Sequence, residues 1–252
     1  MTLLLSERHD GLLILTLNDP DHRNILSADL SNALTQAVLA AGADPGVKAL
    51  IVTGAGAAFC AGARLDDLEA AASGDDAAVH AVYRAFMTVA DCPLPTIAAV
   101  NGAAVGAGMN LALACDMRIA TPTALFDTRF LKIGLHPGGG HSWMLLRAVG
   151  WARASQMLLG GQGLRGDAAL NAGLVQQLSA PDKLLEDAMA LAAPMLETSR
   201  DLLLRTKATL HHAARSSHAD AFAHETAAQA WSLGEPGFAA LLERMRGEIA
   251  RR

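Results

Sequence analysis

Aromatic residues are scarce, at 4% of the 252 residues, and there is a single tyrosine, Tyr83. It lies in a helical stretch ahead of Pro93 and reads as core packing. Positive charge is also short: the formal net charge is −5, which argues against nucleic acid as the main partner. The three cysteines, Cys60, Cys92 and Cys115, have no paired or C-x-x-C spacing. That excludes a disulfide framework and leaves buried, reduced thiols, the pattern of a cytoplasmic protein. No apolar run is long enough to cross a membrane. The best candidate, residues 96–114, is broken by Asn101, Asn110 and glycines, and the apolar part of MTLLLSERHD is too short for a signal peptide. A soluble protein is expected.

Several signatures are missing too. No Gly-Lys-Ser/Thr triplet closes a Walker loop. The third glycine of a dinucleotide fingerprint is replaced by Phe59 after Gly54 and Gly56, and by Leu111 after Gly106 and Gly108. There is no G-x-S-x-G elbow. Adjacent His211 and His212 point apart on a helix, and neither His218 nor His224 has ligand spacing, so no metal site is expected.

Hydrophobic residues make up 52% of the chain, enough for a substantial core. Two apolar runs, Leu3–Leu5 and Leu12–Leu17, flank Asp10-Gly11, a hairpin signal. Ser27 is placed to cap a helix that buries Leu30, Leu34, Val38 and Ala41. Residues 48–53 read as a buried strand and 63–72 as a short helix. A second helix after Gly74 turns Val79, Val82, Phe86 and Val89 inward. Residues 95–100 and 117–120 are further strands, and a helix is expected over 141–149. From Pro181 onward helices dominate, at 182–196, 198–215, 217–233 and 236–250. Alternating elements followed by helices indicate an α/β fold, divided into a core over 1–195 and a helical region over 196–252.

The chain is organised around Val100–Asp116, where a buried strand breaks at Asn101-Gly102, bends at Gly106 and Gly108, and resumes as a small-residue helix. A strand, a glycine bend and a helix start present free N–H groups and the positive end of a helix dipole. A second such turn, Gly54 to Ala63, follows the strand at 48–53. Either these are only tight connections, or their amides converge on one carbonyl and form an oxyanion hole.

With these motifs in order, the chain resembles the crotonase superfamily of enoyl-CoA hydratases and isomerases. Leu17–Asn24, Thr53–Ala63, Val100–Asp116 and Ile133–Gly140 match its four successive segments. The resemblance implies a spiral of ββα units with a C-terminal helical region that packs trimers, often paired into hexamers. It implies acyl-CoA thioesters as substrates, and no cofactor beyond the coenzyme A of the substrate. By position, the amides of Ala63 and Ala107 correspond to the oxyanion donors. The Ala61 carbonyl corresponds to the adenine contact, and Arg23 and Lys207 to phosphate contacts, Lys207 across a subunit interface.

The chain departs from the family where protons move. The two glutamates of a typical hydratase fall on Asn110 and Phe130, and the aspartate of some isomerases falls on Gly138. Asn110 cannot take a proton; it can orient a water or a substrate oxygen. Phe130 makes one wall apolar, for an acyl chain or ring. His136 and His141 flank the glycine run and are the substitute acid–base candidates. Arg64 stands where the family commonly has aspartate, which turns one corner basic and suits a substrate carboxylate. Asp127 and Arg129 read as a salt-bridged loop. Three functions stay open: an isomerase-type proton shift, atypical hydration, or a non-catalytic acyl-CoA-binding protein.

Overall fold

The computed structural model describes residues 2–249. The hairpin is β1 (Leu4–His9) and β2 (Leu12–Leu17), paired in register from Leu4–Leu17 to His9–Leu12. Asp10 and Gly11 both have positive φ at its turn, as a tight hairpin with right-handed strand twist demands. Helix α1 (Ala28–Ala43) starts at Ser27, whose hydroxyl accepts from the Leu30 amide.

Beyond α1 the chain repeats one unit. β3 (Ala49–Gly54) and β4 (Ala58–Cys60) lead to α2 (Leu65–Ala72) and α3 (Ala77–Ala90). β5 (Thr96–Val100) and β6 (Ala103–Val105) lead to α4 (Ala107–Ala114). β7 (Met117–Ala120) and β8 (Leu125–Asp127) lead, through a 3-10 turn at Phe130–Ile133, to α5 (His141–Leu158). The last segments are β9 (Leu164–Arg165), α6 (Gly166–Asn171), β10 (Gln177–Leu178) and α7 (Leu184–Glu197). The first strand of each unit joins a sheet of order β1-β2-β3-β5-β7-β10, and the second joins another of order β4-β6-β8-β9. Within each sheet the repeated strands are parallel. Each turn therefore stacks one strand spacing, about 4.8 Å, beyond the last, and this is the spiral expected from the resemblance.

Period-two alternation decides which strand residues face which layer. Leu12, Ile14, Ala49, Ile51, Ile97, Ala99 and Ile119 form one apolar face, closed by Leu184, Ala188 and Ala192 of α7. Their neighbours Leu50, Val52 and Ala98 are equally buried on the other face, so the strands read as continuous apolar runs. Helix α5 passes beyond the expected residue 149. Gly150, at φ 72, interrupts it, and helical turns resume to Leu158. The short strands β4, β6 and β8 carry no sequence signal of their own, because three residues hold too little periodicity. All three cysteines are buried, and burial pushes the Cys60 thiol up to about 12. None of the described helices is long and apolar enough to cross a membrane.

The described chain forms two compact units, the first ending at Leu196 and the second starting at Glu197. The second unit contains α8 (Arg200–Ala213), α9 (His218–Leu233) and α10 (Pro236–Ile249). Inside it His212 stacks on His224 at 4.5 Å, and the Arg205 guanidinium lies 4.0 Å from the Trp231 ring.

Candidate active site

A cavity of about 420 Å³ opens in the first unit, and Ala61, Ala63, Arg64, Ala107 and Phe130 all line it. Two anchors fix the loop that carries Ala63. The buried Asn24 side chain donates to the Ala55 and Ala58 carbonyls and accepts from the Asp19 amide. Asn101 donates to the Gly56 and Ala58 carbonyls and accepts from the Gly54 amide. The Asn101-Gly102 break thus fastens one glycine turn to the other.

Beyond this loop, Ala61 donates to the Arg23 carbonyl at 3.0 Å, and Gly62 accepts from the Leu26 amide at 2.7 Å. Ala63 bridges Leu26 in parallel register. Gly62 lies so close to the second turn that a Cβ there would stand 2.9 Å from the Val105 carbonyl and 3.9 Å from the Ala107 nitrogen. Ala107 is the first residue of α4, where no helical acceptor exists for its N–H. Among the described residues neither the Ala63 nor the Ala107 amide has a backbone acceptor.

Helix α4 is buried along Gly108–Ala114, so its dipole acts through a medium of low polarity. Its far end is held by buried Arg118. This guanidinium donates to the Cys115 carbonyl at 2.7 Å, the Ala112 carbonyl at 3.4 Å and the Leu174 carbonyl at 2.7 Å. Burial pulls the Arg118 pKa down, and the nearby Cys115 and Asp116 oppose that pull. The arrangement favours negative charge at the Ala107 end of the helix.

The expected acid–base residues divide. Asn110 is buried on α4. Its amide nitrogen donates to the Gly138 carbonyl at 3.1 Å, and its oxygen makes a short hydrogen bond with His141 Nδ1. The Gly138 acceptor orients the amide, so the oxygen faces the imidazole and the proton sits on Nδ1. Nε2 keeps its lone pair and has no partner among the described residues. Burial holds His141 neutral, with its pKa lowered to about 4. The Phe130 ring stands edge to face with this imidazole at 4.9 Å, and Phe130 is what the cavity meets. His136 is exposed, and its Nδ1 lies 2.8 Å from the Pro137 carbonyl, to which it donates. The Arg23 side chain is exposed. Lys207 is a buried residue of α8 in the second unit.

Arg64 precedes α2, half-exposed, with Asp66 at 3.6 Å. Arg129 shares buried Asp127 with Lys132. Burial alone would raise the Asp127 pKa, but the hydrogen bond from Lys132, the Arg129 amide and both cations outweigh it and bring it below the usual carboxylate range. Two features of the lining are absent from the expectations drawn from sequence. Val79 and Tyr83 both line the cavity and are only partly buried. Val79 and Tyr83 are four residues apart on α3, one helical turn, the only signal available beforehand.

The fold and these paired turns define the crotonase class. The family model for enoyl-CoA hydratase/isomerase matches residues 7–233. The chain is 48% identical over 248 residues, 95% of each chain, to the probable enoyl-CoA hydratase EchA14 of Mycobacterium tuberculosis. It is 36% identical over 215 residues to the 2,3-dehydroadipyl-CoA hydratase of Escherichia coli, covering 83% of this chain and 82% of that one. Among solved structures, an enoyl-CoA hydratase from Polaromonas superposes with a TM-score of 0.89 at 31% identity, over 96% of this chain and 97% of that one. The chain belongs to the enoyl-CoA hydratase/isomerase family.

Proposed function

We propose that this protein acts on an acyl-CoA thioester, holding the thioester oxygen on the N–H groups of Ala63 and Ala107. The observation that carries this reading is the pair of unpartnered amides on one cavity wall, beside the positive end of a buried helix. Negative charge grows on that oxygen when the acyl group is enolised or attacked, and preorganised donors stabilise it there. The adenine lies on the Ala61 carbonyl and the phosphates near Arg23, within a trimer or a dimer of trimers, while Lys207, buried in its own chain, is not available for the phosphates. The acyl chain runs along Phe130 and the leucines of the cavity. Protons move through neutral His141, set in its tautomer by Asn110, in place of a glutamate pair. Both a double-bond shift and hydration start from the same polarised thioester.

A second reading, binding without turnover, is favoured by one observation: His141 Nε2 is buried, and Phe130, not His141, lines the cavity. Titration with saturated and unsaturated acyl-CoA esters, with absorbance assays on crotonyl-CoA and a 3-enoyl-CoA, separates the two. Turnover that His141→Ala abolishes supports the enzyme. Micromolar binding with no turnover across chain lengths leaves the binding protein. Failure of every ester to bind overturns both.

A further inference from the structure

The cavity is apolar along most of its wall, and its side-chain polar groups are Arg64, Tyr83, Thr128 and Arg129. Three of these are engaged: Arg64 with Asp66, Arg129 with Asp127, and the Thr128 hydroxyl with the Met157 carbonyl at 3.3 Å. The Tyr83 hydroxyl has no hydrogen-bond partner among the described residues. Its ring is fixed from two sides, by His80 at 6.2 Å and Phe86 at 5.8 Å. The hydroxyl rests against Gly138, where a Cβ would overlap it. The carbonyl of the same Gly138 is held by Asn110. Tyr83 therefore fills the space that a side chain at 138 would need. The missing carboxylate at 138 and the presence of a phenol are one structural fact.

A phenol both donates and accepts hydrogen bonds, and with no described residue bonding it this one is open to an oxygen that enters the cavity. On the proposed reading two amides serve the thioester oxygen; among the described side chains of the lining, Tyr83 is the uncharged one left to bind an oxygen of the acyl chain. Resting on the acyl-CoA reading, we propose that Tyr83 contacts the substrate and hydrogen-bonds the oxygen at C3: the hydroxyl of a 3-hydroxyacyl thioester, or the water that becomes it. In that addition the water oxygen bonds to C3 and gives up one proton, C2 gains one proton through the electron pair of the C2=C3 bond, and the net change is OH on C3 and H on C2. Tyr83 ends as it began, as the neutral phenol. Tyr83 is thus the residue of this chain that reads oxygen at C3.

Calorimetric titration of the full-length protein with 3-hydroxybutyryl-CoA and butyryl-CoA tests this without depending on turnover. Tyr83→Phe keeps the ring and its packing. It is expected to weaken 3-hydroxybutyryl-CoA by about three- to tenfold, the value of one neutral hydrogen bond, and to leave butyryl-CoA within about twofold. Gly138→Ala, whose added methyl displaces the hydroxyl, is expected to lose the same discrimination and carries the test if the phenylalanine variant misfolds. Equal shifts for both esters, or none for either, overturn the Tyr83 assignment while the acyl-CoA reading stands. A wild-type protein that binds neither ester overturns the acyl-CoA reading and this inference with it.

Discussion

Replacing Ala107 by proline removes one of the two amides proposed to hold the thioester oxygen, at little cost to the fold. Ala107 is the first residue of α4. Proline is tolerated there because that N–H has no helical acceptor and the ring presets a helical φ. The residue before a proline must be extended. Gly106 has φ 52 and ψ −114, the mirror image of an extended conformation, which glycine reaches because it has no Cβ. The chain can thus accept the ring without rearrangement. What is lost is the hydrogen that, on the proposed reading, binds the thioester oxygen, and the ring carbon takes up the space where it pointed. Losing one such donor costs about 10²–10³ in rate, or roughly 3–4 kcal/mol of transition-state stabilisation. The assay is kcat/KM on an enoyl-CoA, with thermal unfolding as the control for folding. A folded Ala107→Pro variant that keeps turnover within about fivefold of wild type would refute the role given to this amide.

Arg118→Met should destabilise the protein by about 3 kcal/mol, since it strips a charged donor from buried carbonyls at the end of α4 and from Leu174. Urea unfolding measures it, and an unchanged midpoint would show that those carbonyls find other partners. His141 makes stability pH-dependent with a defined sign. Its native pKa is about 4 against an ordinary 6.5, so on acidification the unfolded chain takes the proton first. Stability is fully present above about 6.5 and declines as pH falls toward 4, by on the order of 3 kcal/mol from this group. Urea titrations at pH 7.5 and 4.5 should therefore show a smaller pH effect in His141→Gln than in the wild type; equal effects would reject a buried neutral imidazole.

The larger elements are legible in the sequence because their signals are local. Asp10-Gly11 sets a turn by backbone preference, Ser27 caps a helix three residues from its acceptor, and the apolar runs at 49–54 and 96–100 leave few choices but buried strands. The motifs around Ala63 and Ala107 are legible because an amide needs only small neighbours and a bend. Order along the chain also points to the family, since four segments in sequence constrain far more than one.

Tertiary structure alone decided the state of the polar groups inside. His136 and His141 are equivalent in sequence, both beside the glycine run. In three dimensions one is exposed against the Pro137 carbonyl, while the other is buried, neutral and held by Asn110. That difference comes from burial and from a partner 31 residues away, neither of which has a periodicity to read. Tyr83 looks like core in the sequence because its spacing on α3 matches Val79 and Phe86. Which face of that helix meets a wall and which meets a cavity depends on where Gly138 passes, and a glycine there gains meaning only once the phenol is seen occupying its missing side chain.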